Sequence, residues 1–368
     1  PVNEPAGAPT LSVPSTNGTG SYAVNWSAVT GATSYNLQEQ VNGGSWATVQ
    51  GSAATSWAAS GKSNGSYGYQ VQACNSSGCS AWSVAASVTV LLPPPVPASL
   101  AVPATSSGSV GVSWSASSTA TSYTLQHRLG SGGWSTAYSG SGTSTTVAEG
   151  TTGSYTYQVQ ACNGGGCSSW RASSAVTVTI PPASAPTLSA PANSSTGGYT
   201  VSWTGVSGAT SYTLQEQVNG GGWSTIQTSS ATSRAISGKG NGTYGYHVQA
   251  CNAGGCGPWS GTSSVSVLLI PATPTGLSST LYATFYSDTR PPKTVYTLTG
   301  SWSAMAGASN YNFHYCQQSG SCYTTNTTAT SIPEFTVQGA TVSVTVQACN
   351  ANGCSAWSAS VTPTTVNQ

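Results

Sequence analysis

Three observations predict an all-β chain of four tandem antiparallel β-sandwiches. A tetrapeptide recurs at near-constant spacing, the apolar period between recurrences is two, and proline clusters punctuate the period. The tetrapeptide is Gln72-Ala73-Cys74-Asn75, repeated at Gln160-Ala161-Cys162-Asn163, Gln249-Ala250-Cys251-Asn252 and Gln347-Ala348-Cys349-Asn350, at spacings of 88, 89 and 98 residues. Trp26, Trp114, Trp203 and Trp302 keep step with it, as do Trp82, Trp170, Trp259 and Trp357. A period near 90 is too long for a solenoid repeat that shares its core with neighbours, and it suits a small domain with its own core.

The strands follow from the alternation. Tyr67, Tyr69, Val71 and Ala73 alternate with Gly68, Gln70 and Gln72, and Tyr35 and Leu37 alternate with Asn36 and Gln38. One face is therefore buried and the other carries amides. Asn42-Gly43-Gly44 and Ser63-Asn64-Gly65 read as turns, and no helical period of useful length appears. Boundaries fall at Leu92-Pro93-Pro94-Pro95-Val96-Pro97, Ile180-Pro181-Pro182 and Ile270-Pro271-Ala272-Thr273-Pro274, which gives modules 1–92, 93–180, 181–270 and 271–368. Proline-rich joints resist bending, so an extended array is expected.

Composition narrows function. The 368 residues include 38% hydrophobic and only 4% charged residues, with a net charge of +1. So few cations cannot neutralise a phosphate backbone, and nucleic-acid binding is not expected. The 12 Trp and 18 Tyr argue against disorder. No apolar run reaches the 18 or so residues of a bilayer span, so membrane insertion is not expected either. Beginning at Pro1 without an initiator Met or signal-peptide core, the sequence reads as a processed or excised soluble piece.

The order of features in the first module carries a resemblance. An early-strand Trp precedes Tyr35-x-Leu37, Trp46 follows a Gly turn, and Tyr67-x-Tyr69-x-Val71-x-Ala73-x-Asn75-x-x-Gly78 leads to Trp82-Ser83. This resembles the fibronectin type III domain, an immunoglobulin-like sandwich, in four copies that cover nearly the whole chain. Tyr155 and Tyr244 stand where Tyr67 does, which implies a tyrosine corner in three copies. The fourth copy departs: Val342 takes that position and Trp46 has no counterpart. The Cys-flanked style resembles repeats in large secreted bacterial proteins, some with hydrolytic parts elsewhere.

The ten cysteines pair by spacing. Cys74/Cys79, Cys162/Cys167, Cys251/Cys256 and Cys349/Cys354 flank the turn between the last two strands, and Cys316/Cys322 form a fifth pair. Zinc needs four convergent ligands, which one pair per module, with no nearby His or third Cys in modules one to three, cannot supply. Disulfides are expected instead, and with them an extracellular or cell-surface location. No metal and no cofactor is expected.

Charges repeat as well. Glu39 and Lys62 have counterparts in Glu216 and Lys239, whereas the second module has His127 and Arg128 near the first position and Glu149 near the second. A local surface ion pair is expected in each, worth about 0–1 kcal/mol. No catalytic constellation stands out. Six scattered acids offer no carboxylate pair, and His127, His247 and His314 lie in separate modules.

Aromatic residues are the remaining site candidates. Trp46, Trp134 and Trp223 follow Gly-rich turns, where they cap the sandwich edge or stack a sugar ring. Trp57 is replaced by Arg234 in the third module, and Tyr282, Phe285 and Tyr286 lie in an insertion that only the fourth module carries, near Asp288, Arg290 and Lys293. Seven Asn-x-Ser/Thr sites, at Asn17, Asn25, Asn64, Asn75, Asn193, Asn241 and Asn326, are what chance gives in so Ser/Thr-rich a chain. The sequence reads as a non-catalytic structural spacer, stalk or fibre component, with a glycan- or cell-surface-binding array as the alternative. Because charge scarcely protects its strand edges, self-association into fibres is a further expectation, with the fourth module's insertion as the contact.

Overall fold

The computed structural model describes residues 2–340 and 342–367. Every regular element among them is a β-strand. The chain forms two compact units, Pro1–Ile180 and Pro181–Gln368, and four separate apolar cores lie within them.

The first sandwich shows the plan. It contains β1 (Leu11–Ser12), β2 (Thr16–Asn17), β3 (Tyr22–Trp26), β4 (Ser34–Val41), β5 (Trp46–Ser52), β6 (Ser56–Ala59), β7 (Gly65–Asn75), β8 (Gly78–Cys79) and β9 (Ala86–Val90). One sheet has the order β1-β3-β6 and the other β2-β9-β7-β4-β5, with β8 folded back on β7. The leading segment thus divides between the two sheets, β1 pairing antiparallel with β3 and β2 parallel with β9. The second and third sandwiches repeat this order, with strands running from Leu100 to Val178 and from Leu188 to Val267. This is the fibronectin type III-like arrangement of tandem β-sandwiches.

Period-two sequence becomes two-faced strand. Along β7, Tyr67, Tyr69, Val71 and Ala73 are buried, and they meet Val24, Trp26, Tyr35, Leu37, Val88 and Val90 between the sheets. Each fully buried aliphatic side chain contributes roughly 1.5–3 kcal/mol by leaving water. Hydroxyls on core rings close the loops around them. Tyr67 Oη donates to the Ser63 carbonyl at 3.0 Å, Tyr155 Oη to that of Thr151 at 3.1 Å and Tyr244 Oη to that of Gly240 at 3.0 Å, so the tyrosine corner is present in three copies. A second tyrosine holds in all four: Tyr35, Tyr123, Tyr212 and Tyr311 accept the N–H groups of Val29, Ser117, Val206 and Met305.

Serines finish what the last strand leaves open. Beyond its pairing with β9, the upper half of β7 has bare N–H groups, and Ser80 Oγ accepts that of Ala73 while Ser83 Oγ accepts that of Val71, both at 3.1 Å. Ser355 and Ser358 do the same for Ala348 and Val346. The Ser-x-x-Ser spacing around Trp82 and Trp357 is thus a hydrogen-bonding device that replaces a missing strand.

The fourth sandwich is built differently. Its sheets have four strands each, and its insertion lengthens the first two strands, Ser278–Tyr286 and Lys293–Ser301, into one hairpin with unbroken register. The last strand, Thr364–Asn367, pairs parallel with Ser278–Tyr286 instead of joining Val342–Asn350. Among the described residues, the Val344–Val361 bridge, the two serines and the short strand Gly353–Cys354 cover the edge of Val342–Asn350. Val342 itself is buried, so an apolar contact stands where the other copies have the corner tyrosine.

Candidate functional sites

The repeated charges form a buried network rather than a surface pair. Glu39 leaves β4 on the inner face and is only 8% exposed. Its carboxylate accepts from Lys62 Nζ at 2.7 Å and from Tyr69 Oη at 2.7 Å, and Tyr22 Oη lies 2.7 Å from Tyr69 Oη. Because Tyr69 donates to the carboxylate, Tyr22 must donate to Tyr69. The Lys62 ammonium also sits 5.1 and 5.2 Å from the ring centroids of Tyr67 and Trp57. The third sandwich repeats the network with Glu216, Lys239, Tyr246 and Tyr199. Burial, then the hydrogen bonds from the neighbouring Tyr and Glu, push the Tyr69 and Tyr246 hydroxyls far above their ordinary value of 10. The expectation of a surface pair is therefore corrected: these carboxylates need their partners because they are out of water.

In the second sandwich the acid and its partner exchange places. Glu149, 6% exposed, accepts from Tyr157 Oη at 2.8 Å and lies 2.7 Å from His127 Nδ1. Arg128 points to the other face, with its guanidinium 4.5 Å from the Trp134 ring centroid. Strand alternation separates these neighbours, so of the two cationic candidates only His127 reaches the acid. The fourth sandwich has Tyr315 at the equivalent place, packed against Tyr323 and Phe335, and no acid.

All ten cysteines are paired, as Cys74–Cys79, Cys162–Cys167, Cys251–Cys256, Cys316–Cys322 and Cys349–Cys354. The four repeated bridges brace the turn after each Asn, and in the second and fourth sandwiches that Asn reaches outside its own sandwich. Asn163 Nδ2 donates to the Leu92 carbonyl at 2.9 Å, at the end of the first sandwich. Asn350 Nδ2 and Asn352 Nδ2 donate to the carbonyls of Leu269 and Leu268, at the end of the third. Gly165 lies so near the Leu91 carbonyl that a Cβ there would stand 1.5 Å from its oxygen. The Gly-rich turn is what lets the two backbones meet. Among the described residues, one group could in outline hold a metal, His314 with Cys316 and Cys322. Both sulfurs belong to a disulfide, so no thiolate is offered.

The aromatic candidates divide by face. Trp223, 36% exposed, lies flat on His247 with centroids 3.8 Å apart, and Trp259 covers the other side of the same imidazole at 4.0 Å. Burial between the indoles lowers the His247 pKa below its ordinary 6.5. Trp46 reaches over Gly68 of β7, and Trp134 covers Arg128. Trp259 was legible only as a repeat marker. Its pairing opposite Gln249 brings it to the same outward face as Trp223.

Trp57 does not belong to that face. It is half-buried beside the first core, 6.0 Å from Tyr69, with its ring 5.2 Å from the Lys62 ammonium. Arg234, its counterpart, hydrogen-bonds the Ile226 carbonyl. In the insertion, Phe285 and Tyr286 are 61% and 43% exposed, whereas Tyr282 is half-buried in the middle of its sheet. Of the candidate aromatic residues, Trp223, Phe285 and Tyr286 are the exposed ones.

No protein-family model and no curated protein matches the chain. Among solved structures it is similar to the crystal structure of chicken CNTN1 FN1-FN3 domains, with 18% identity over 72% of this chain and 99% of that one, at a TM-score of 0.31. No helix of the described residues is long and apolar enough to cross a membrane.

Proposed function

We propose that the chain is a non-catalytic extracellular structural protein, a spacer in which the second sandwich is clamped to the end of the first and the fourth to the end of the third. The observation that carries this reading is the disulfide-braced turn whose Asn bonds the preceding module's last carbonyls, at Asn163 with Leu92 and at Asn350 with Leu269. Such a clamp has value only where the angle between modules matters. Five disulfides in one chain suit an oxidising medium. The buried carboxylates Glu39, Glu149 and Glu216 are each held by a tyrosine hydroxyl together with a Lys or His side chain, which supports a structural role for them.

Single-molecule energy transfer between dyes on the first and second sandwiches tests the proposal. A narrow distance distribution is expected, and it should broaden when Asn163→Ala is combined with Cys162→Ser and Cys167→Ser. A broad distribution in the unmodified chain would refute the spacer reading.

One observation favours a second reading, binding of a neutral glycan: the outward faces carry indoles among uncharged amides, as at Trp223, Gln215 and Gln249. Retention on insoluble polysaccharide that is lost in Trp46→Ala and Trp223→Ala would support it, and absence of retention would remove it.

A further inference from the structure

One strand edge in the fourth sandwich differs from its counterparts in the other three. There the outer strand of the larger sheet, β5 in the first, is bulged against its neighbour, with register shifts at Leu37/Gln38, Leu125/Gln126 and Leu214/Gln215. A bulge bends and twists an edge so that another strand cannot add to it. Cys322–Thr327, the corresponding strand, pairs with Asn310–Gln317 without any shift, from Tyr311 opposite Thr327 to Cys316 opposite Cys322. The Cys316–Cys322 bridge closes the end of this hairpin. Its sequence, Cys-Tyr-Thr-Thr-Asn-Thr, has no charge, no Pro and no Gly, and its side chains are largely exposed. Another outer strand of the same sandwich, Ser331–Val337, carries Pro333, Glu334 and a register shift between Leu298 and Gly300. Those features protect that edge, and Cys322–Thr327 has none of them.

The register also says which main-chain groups are free. Gln317 N–H donates to the Ser321 carbonyl at 2.9 Å, which makes 317 and 321 a hydrogen-bonded pair. Alternation then turns the N–H and C=O of Tyr323, Thr325 and Thr327 inward, and those of Cys322, Thr324 and Asn326 outward. Among the described residues, no strand lies on the outward side.

We propose that a second copy of this chain occupies that edge, antiparallel, with Thr324 opposite its own counterpart on a two-fold axis. Residues opposed in an antiparallel pair share a face, so the pairing must centre on a residue rather than between two. Centring on Thr324 sets Cys322 against Asn326 and satisfies every outward group, as three opposed pairs of two bonds each. Centring on Thr325 leaves Cys322 without a partner. The occupant is a copy because the strand is neutral and becomes self-complementary in this register, with no charge to steer a foreign partner or repel an identical one. Two four-stranded sheets then become one of eight strands. A two-fold contact closes on itself, so the product is a dimer and not an open fibre.

Sedimentation of the full chain over a thousandfold concentration range tests this, alongside Thr324→Pro, Thr324→Lys and Phe285→Lys/Tyr286→Lys. Pro at 324 removes an N–H that the strand's own sheet does not use, and Lys places two like charges across the axis. The unmodified chain should dimerise, and exchange of the Thr324 and Asn326 amides should slow as dimer forms. Both changes at Thr324 should weaken association at least tenfold, while the hairpin variant should leave it intact. Near-ultraviolet circular dichroism reports whether each variant remains folded, and Thr324→Lys decides if Thr324→Pro does not. A strictly monomeric chain, a dimer indifferent to Thr324→Lys, or a dimer lost in the hairpin variant would each overturn the proposal.

Discussion

Replacing Lys62 with Met tests whether the Glu39 network is a buried structural unit. The side chains of Lys62 and Glu39 are 16% and 9% exposed, so Met would leave a carboxylate in the interior with only the Tyr69 hydroxyl as donor. Removing one partner of a buried pair typically costs 3–5 kcal/mol. The retained Tyr69 bond, and the packing of Met on Trp57 and Tyr67, place this case near the lower end, at about 3 kcal/mol. For a domain of this size that lowers the midpoint by roughly 12–24 °C, enough to resolve the first sandwich as an early calorimetric transition. Amide exchange along β7 should accelerate about a hundredfold where it requires opening of the whole sandwich. Adding Glu39→Gln to Lys62→Met removes the stranded charge and should recover at least half the loss. A shift smaller than about 4 °C, or a double variant as unstable as Lys62→Met alone, would refute the reasoning.

Three further outcomes are expected. Because burial depresses the His247 pKa, the unfolded chain takes up a proton first as pH falls through 6.5; stability of the third sandwich is therefore complete above 6.5 and declines below it. Calorimetry should show His247→Gln, which supplies the residue found at Gln70, without that decline. The Tyr69, Tyr157 and Tyr246 hydroxyls, all held far above 10, should stay protonated in an alkaline absorbance titration until the sandwiches unfold. Their contribution, present below 10, is lost as pH rises and the unfolded chain ionises first. Cys162→Ser with Cys167→Ser should destabilise the second sandwich by about 2 kcal/mol, the loop-closure entropy of so short a ring, without unfolding it; denaturant midpoints give the value.

The sequence by itself determined the all-β class, the four-fold repeat and the inward strand faces, because side-chain alternation and turn residues are local signals that need no knowledge of distant partners. Cysteine spacing likewise sufficed for pairing, since each bridge joins neighbours in the chain. The tertiary structure decided the rest. Whether Glu39 and Lys62 meet in water or under Trp57 depends on how the two sheets cover them, and no spacing encodes burial depth. His127 rather than Arg128 meets Glu149 because adjacent residues of a strand face opposite sides, and only the packed sandwich says which side holds the acid. Trp57 read as singular from sequence, yet its strand turns it inward, while Trp259 read only as a repeat marker until the serine-capped return beside β7's counterpart, Gly242–Asn252, set it against His247. The unbulged edge of the fourth module was equally hidden, because a bulge is a relation between two strands and exists only once they pair.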